Sequence, residues 1–157
     1  MTSSYFSYQK AKVIQALRYH FITRKEIKIL IILVNVFALA SAALFFFKKI
    51  SPIAFMTGSV VWFMIMLAFW FMLPYSIYKR SKTFLDSFKV TLDNDLTIEN
   101  ERGSQSWQWK EFNSFMESPH FFHLYFNARS FFLIPKSAFE GDDVLEARKI
   151  LKGKINR

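Results

Sequence analysis

The apolar residues of this chain fall first into two unbroken blocks. Ile29 to Phe47 reads ILIILVNVFALASAALFFF and Ile53 to Tyr75 reads IAFMTGSVVWFMIMLAFWFMLPY; neither holds a charged residue. As helices they would be roughly 28 and 34 Å long, against a bilayer hydrocarbon core of about 30 Å. Each block predicts a membrane span. The rest of the chain is too short to cover two such helices on every side in a soluble bundle. Only Lys48, Lys49, Ile50, Ser51 and Pro52 separate them. So short a link forces an antiparallel hairpin with both ends on one side.

Before the first block the pattern is helical and amphipathic. Val13, Ala16, Leu17, His20 and Phe21 recur at i, i+3, i+4, i+7 and i+8, with basic residues around them. A helix from about Ser7 to Lys28 follows. It suits an anionic leaflet, the surface of a following domain, or an extension of the first span, and the pattern favours the last two. Inside the hairpin, Ala38 and Ala42 on one helix and Ala54 and Gly58 on the other form a small-residue seam, with Ala42 and Gly58 at one depth. Asn35 is expected to bond across to the partner helix.

From Phe84 the period shortens. FKVTL (88–92), LTIEN (96–100), SWQW (106–109), FFHLYF (121–126) and SFFLI (130–134) read as strands. Asp93-Asn94-Asp95, Arg102-Gly103-Ser104 and Asn127-Ala128-Arg129 read as turns between them. Beyond Pro135 the chain reads as a helix with Val144, Leu145, Ile150 and Leu151 on its apolar face and Arg148, Lys149 and Lys152 toward its end. The predicted class is a membrane α+β protein: a two-helix transmembrane hairpin followed by a small antiparallel β domain capped by a C-terminal helix. Its parts are a basic amphipathic arm at 1–28, the hairpin at 29–75 (spans 29–47 and 53–75) and the β domain at 84–157.

Charge fixes the orientation. The chain is net +9, and the excess lies beside the apolar blocks. Lys10, Lys12, Arg18, Arg24, Lys25 and Lys28 precede the first block, Lys79, Arg80 and Lys82 follow the second, and the link holds only Lys48 and Lys49. The positive-inside bias places both termini in the cytoplasm, with Trp70, Tyr75 and Tyr78 at that interface. The β domain is nearly balanced in charge, so nucleic acid is not an expected partner. No cleaved signal peptide is expected, because the first 28 residues are polar and basic. The absence of cysteine excludes disulfides, thiolate catalysis and cysteine metal sites.

Candidate chemistry is sparse. No cofactor or metal site is expected. His120 and His123 are spaced to opposite faces of a strand, and no third ligand accompanies them. Asp93, Asp95 and Glu99 lack the glycine of a calcium loop. Trp107 and Trp109 alternate with Gln108, which puts them on one sheet face. In FFLIPKSAF (131–139), Pro135 ends the ladder, Phe139 re-enters the core and Lys136 is expected to point outward. Arg24, Lys25, Lys28, Lys79, Arg80 and Lys82 are candidate lipid-headgroup contacts.

Two apolar spans, then W…F…FMES…FFHLYF…FFLIPKSAF and a terminal helix, resemble the YcxB-like family of bacterial membrane proteins. The motif positions are Trp109, Phe112, Glu117, Ser118, Phe121, Phe122, Leu124, Tyr125, Ile134, Pro135, Lys136 and Phe139. The resemblance implies a pleckstrin-homology-like (PH-like) domain, a bent β-sheet capped by a helix, and carries over no catalytic residue. The resulting expectation is a non-enzymatic, multi-pass protein of the bacterial inner membrane. Its PH-like cytoplasmic domain would serve interaction or regulation, with the lipid bilayer and a protein as partners. The alternatives are a lipid sensor of the inner leaflet, against which Asp93 and Asp95 in the first hairpin turn argue, and an accessory subunit of a membrane enzyme or transporter.

Overall fold

The computed structural model describes residues 1–127 and 130–155, so part of the turn expected at Asn127-Ala128-Arg129 lies outside the described residues. The chain forms two compact units: Leu17–Arg80, and a β unit made of Met1–Ala16 with Ser81–Arg157. Helix α1 (Lys10–Thr23) runs through the boundary.

In the helical unit, α2 (Lys25–Phe46) starts after a break at Arg24, whose backbone is extended. The continuous arm helix expected to Lys28 therefore ends at Thr23. Its predicted apolar face is the buried one: Val13, Ala16, Leu17, His20 and Phe21 are all buried. Helix α3 (Pro52–Leu67) returns antiparallel to α2. Phe45 stacks on Phe55 with centroids 4.5 Å apart, and the turn is closed by Lys48 in the left-handed region at φ 56°. Ser51 caps α3 by accepting from the Ala54 amide at 3.2 Å, and Pro52 supplies its fixed φ at the first turn.

The small residues do not make the tight seam their spacing suggested. Gly58 faces Ser41, not Ala42, and a Cβ on it would meet only the Ser41 Oγ, at 3.8 Å. Ala38, Ala42 and Gly58 instead line a groove of about 780 Å³. Asn35 does not reach across either; its Nδ2 donates to the Ile31 carbonyl of its own helix at 2.8 Å.

The second apolar block is not one regular helix. A π-helical turn (Ala68–Met72) separates α3 from α4 (Leu73–Arg80). The cause is Pro74, which has no N–H to give and whose ring crowds the carbonyl four residues back, that of Trp70. Arg18 makes up the deficit. Its Nε donates to the Trp70 carbonyl at 2.9 Å, and its guanidinium lies 5.2 Å from both the Trp70 and Phe71 ring centroids.

The β unit has two antiparallel sheets. The first, in order, is β1 (Phe6–Ser7), β2 (Ser87–Leu92), β3 (Asp95–Asn100) and β4 (Gly103–Gln108); the second is β5 (Ser114–Glu117), β6 (Phe121–Tyr125) and β7 (Phe131–Pro135). Alternation on β2 and β3 turns Phe88, Val90, Leu92, Leu96 and Ile98 into a core shared with Phe122, Leu124 and Ile134. Helix α5 (Asp143–Ile155) closes it with Ala147, Leu151 and Ile155. The chain enters α5 through Gly141 at φ 51°, a conformation glycine adopts without strain. All five β6 residues are buried, so both faces of that strand are covered.

Two strands escaped the sequence pattern. Strand β5 is a four-residue segment between Phe112 and Pro119. Strand β1 comes from the polar start of the chain and pairs Phe6 with Phe88 and Ser7 with Ser87. The pairing extends beyond the strand itself: Ser3 N–H donates to the Val90 carbonyl at 2.8 Å and Leu92 N–H to the Met1 carbonyl at 2.7 Å. The Ser3 Oγ accepts from Val90 N–H at 2.9 Å. Ser3 is buried, so Ser3→Ala leaves a donor without water or partner. This substitution is expected to cost about 1–3 kcal/mol, read as a lowered denaturation midpoint of the full chain in detergent.

Candidate functional site

The motif residues gather where β5, β6, β7 and α5 meet. Trp109 does not continue β4; it opens a short 3₁₀ turn (Trp109–Glu111). The turn is fixed because Gln108 N–H donates to the Glu111 Oε1 at 2.9 Å. Trp109 is thereby buried, its Nε1–H donating to the Asp93 carbonyl at 3.0 Å, while Trp107 is half-buried on the strand. The shared sheet face expected of the two tryptophans is thus broken by the turn. Phe112 is buried and packs on Phe126 at 4.6 Å between centroids.

Pro135 is the last residue of β7 and pairs with Phe121. Lys136 N–H then donates to the His120 carbonyl at 2.9 Å, and Phe139 returns to the core beside Phe122. The backbone path is as expected, but the Lys136 side chain does not point freely outward. Its Nζ pairs with the Glu117 carboxylate on β5 and sits 5.6 Å from the Phe122 ring centroid. Arg148 of α5 holds the same carboxylate with two bonds, Nε to Oε2 at 2.8 Å and Nη2 to Oε1 at 2.7 Å. This planar two-point grip is one an arginine makes and a lysine cannot.

Glu117 therefore joins three elements. A part-buried carboxylate on a strand needs a cation, and that need was the available signal; Arg148 was missed because it lies 31 residues away on helix α5. The Arg148 hydrogen bonds, and Lys136 after them, hold the Glu117 carboxyl below its usual value of about 4.5, with burial acting the other way. The arrangement clamps α5 to the second sheet. It offers a reaction no unpaired base or nucleophile.

His120 is exposed and His123 fully buried, its ring stacked beside the paired Tyr125 and Phe131 rings at 6.3 and 6.2 Å. Among the described residues no three His, Asp or Glu side chains cluster as a metal site would require. The six candidate headgroup contacts divide between the units. Arg24, Lys25 and Lys28 lie at the start of α2, and Lys79 and Arg80 end α4, so these five share one end of the antiparallel pair. Lys82 belongs to the β unit. Arg24 is 3.7 Å from Glu26; Lys25, Lys28, Lys79 and Arg80 are exposed.

Residues 92–151 match the family model described as YcxB-like protein. The matched segment runs from the last residue of β2 into α5 and contains Trp109, Phe112, Glu117, Pro135, Lys136, Phe139 and Arg148, so the resemblance read from the sequence holds over the residues that carried it. The apolar helices precede it. Neither a curated protein nor a solved structure matches the chain.

The clamp gives a pH dependence with a definite sign. Because the folded-state pKa of Glu117 is depressed, its contribution is complete above about pH 4.5 and is lost as pH falls through the folded-state value. The melting temperature of the wild type is expected to fall more steeply between pH 5 and pH 3 than that of Glu117→Gln, the two converging at the acid end. Parallel curves over that range would mean that the carboxylate contributes nothing through its charge.

Proposed function

We propose that this is a non-enzymatic integral membrane protein. Its two apolar helices cross the bacterial inner membrane as a hairpin, and its β unit is a PH-like binding module in the cytoplasm. The observation that carries the reading is the pairing of residues 6–7 with 87–88. It ties both ends of the intervening helical segment to one folded body, so any crossing must be made an even number of times.

The helical surfaces supply the reason for crossing. Two helices, Lys25–Phe46 and Pro52–Arg80, are long and apolar enough to span a bilayer, and α2 has no buried residue. Phe37 and Leu39 are each 72% exposed and Ile53 78%. Leaving such side chains in water forgoes about 1.5–3 kcal/mol each; lipid removes that cost. Five candidate cations at the end shared by α2 and α4, against Lys48 and Lys49 at the tip, favour the cytoplasm for the β unit. With Trp70 and Tyr75 exposed near the same end, these cations also favour a second reading, in which Arg24, Lys25, Lys28, Lys79 and Arg80 register anionic lipid.

Alkaline carbonate washing of native membranes tests the anchor: the chain is expected in the pellet, and its release into the supernatant overturns the reading. A photo-crosslinker on the exposed surface of the β unit, used in intact cells, tests the module. A discrete protein adduct is expected; adducts to lipid alone would favour the lipid-sensing reading.

A further inference from the structure

The sheet edges of the β unit are not treated alike. The β2 side is covered by β1 and the residues before it. Strand β7 contains Pro135, which has no donor, and its Leu133 carbonyl is taken by the Tyr8 hydroxyl at 2.7 Å. Strand β5 packs beside α5. Strand β4 ends the first sheet and is left open over six residues, GSQSWQ, with no proline and no charge. Proteins commonly guard such an edge with lysine, proline, a bulge or a cover; here none of these is present among the described residues.

The free groups can be assigned from the register. Glu101 and Arg102 form a two-residue turn, with Asn100 opposite Gly103, Ile98 opposite Gln105 and Leu96 opposite Trp107. In such a hairpin these are the bonded pairs. The N–H and C=O of Ser104 and Ser106 consequently face away from β3. Beside this edge lies a groove of about 540 Å³. Its apolar lining is Phe88, Ile98, Trp107 and Phe132, with Phe132 supplied by the other sheet. Lys82 and Arg102 stand at it. Among the described residues Lys82 makes no ion pair. Arg102 gives one bond to Asp86 at 3.2 Å and keeps its side chain 78% exposed, which leaves donors over.

We propose that β4 accepts an extended segment of a partner protein as an added strand, with an apolar side chain in the groove and a carboxylate facing Lys82 and Arg102. The geometry supplies each part of that recognition. Main-chain bonds to Ser104 and Ser106 give affinity without sequence. The period-2 alternation of a strand puts every second side chain on the groove side. The local excess of positive charge selects an acidic residue. The proposal deepens the binding-module reading and rests on it.

The test selects a display library of random dodecapeptides on the full chain in nanodiscs. Enrichment of peptides with alternating apolar residues and a flanking Asp or Glu is expected. Ser104→Pro, tolerated at an exposed edge, should weaken a selected peptide by about tenfold or more, the size of a lost main-chain bond. Lys82→Ala with Arg102→Ala should weaken it severalfold and flatten its salt dependence. If Ser104→Pro does not fold, N-methylation of the peptide's paired amide on the wild-type chain reads the same contact. No enrichment, binding indifferent to both the proline and N-methylation, or self-association abolished by Ser104→Pro would overturn the proposal; the last would make the occupant a second copy. Continued capture of a protein adduct in cells alongside failure here would sink the β4 groove and leave the binding module standing.

Discussion

The hydrogen bonds between the first seven residues and β2 organise the molecule. Ser3 and Val90 are 87 positions apart, yet each supplies a partner to the other, and Phe6 lies in the same core as Phe88. Closing so long a loop costs conformational entropy that grows only slowly with length. A buried phenylalanine and a set of satisfied backbone groups offset it. The result is a β unit built from both ends of the chain, with the helical unit as an insertion between them. That topology is why the two apolar helices are best understood as a pair: whatever solvates them, the chain has to come back.

Charged side chains secure joints between elements in both units. In the β unit, Glu117 is gripped by Lys136 and Arg148, which fastens the turn after β7 and the terminal helix to one strand. In the helical unit, Arg18 fills the hydrogen-bond deficit that Pro74 creates at Trp70 and stacks on the neighbouring rings. In each case the charge answers a local need of the backbone or of a part-buried carboxylate. Three of the chain's bases, Lys136, Arg148 and Arg18, thus act as structural ties.

The elements with long, one-signed patterns were legible in the sequence. The apolar blocks gave both long helices, the i, i+3, i+4 stripe from Val13 to Phe21 gave the buried face of α1, and alternation gave β2 and β3. What was missed has a common physical cause. Strand β1 is two residues long inside TSSYFSY and exists only because β2 has an edge to pair. The Trp107–Trp109 alternation failed because a 3₁₀ turn begins within it. The Arg148 grip on Glu117 spans a fold, and no local period encodes it. Gly58 faces Ser41 and not Ala42, since helix phase about the axis, not depth alone, decides which side chains meet. The edge of β4 was visible as a strand, but its being the last strand of its sheet was not.

The account turns on both ends of the helical pair lying on one side of a bilayer and its tip on the other. The chain has no native cysteine, so single cysteines placed at Gln9, Lys49 and Asn94 report position without background. With a membrane-impermeant maleimide applied from the periplasmic side of intact inner-membrane vesicles, the account predicts labelling at position 49 alone, with 9 and 94 reacting only after detergent is added. Labelling of 9 and 94 from opposite sides would contradict it, because β1 could then not pair with β2.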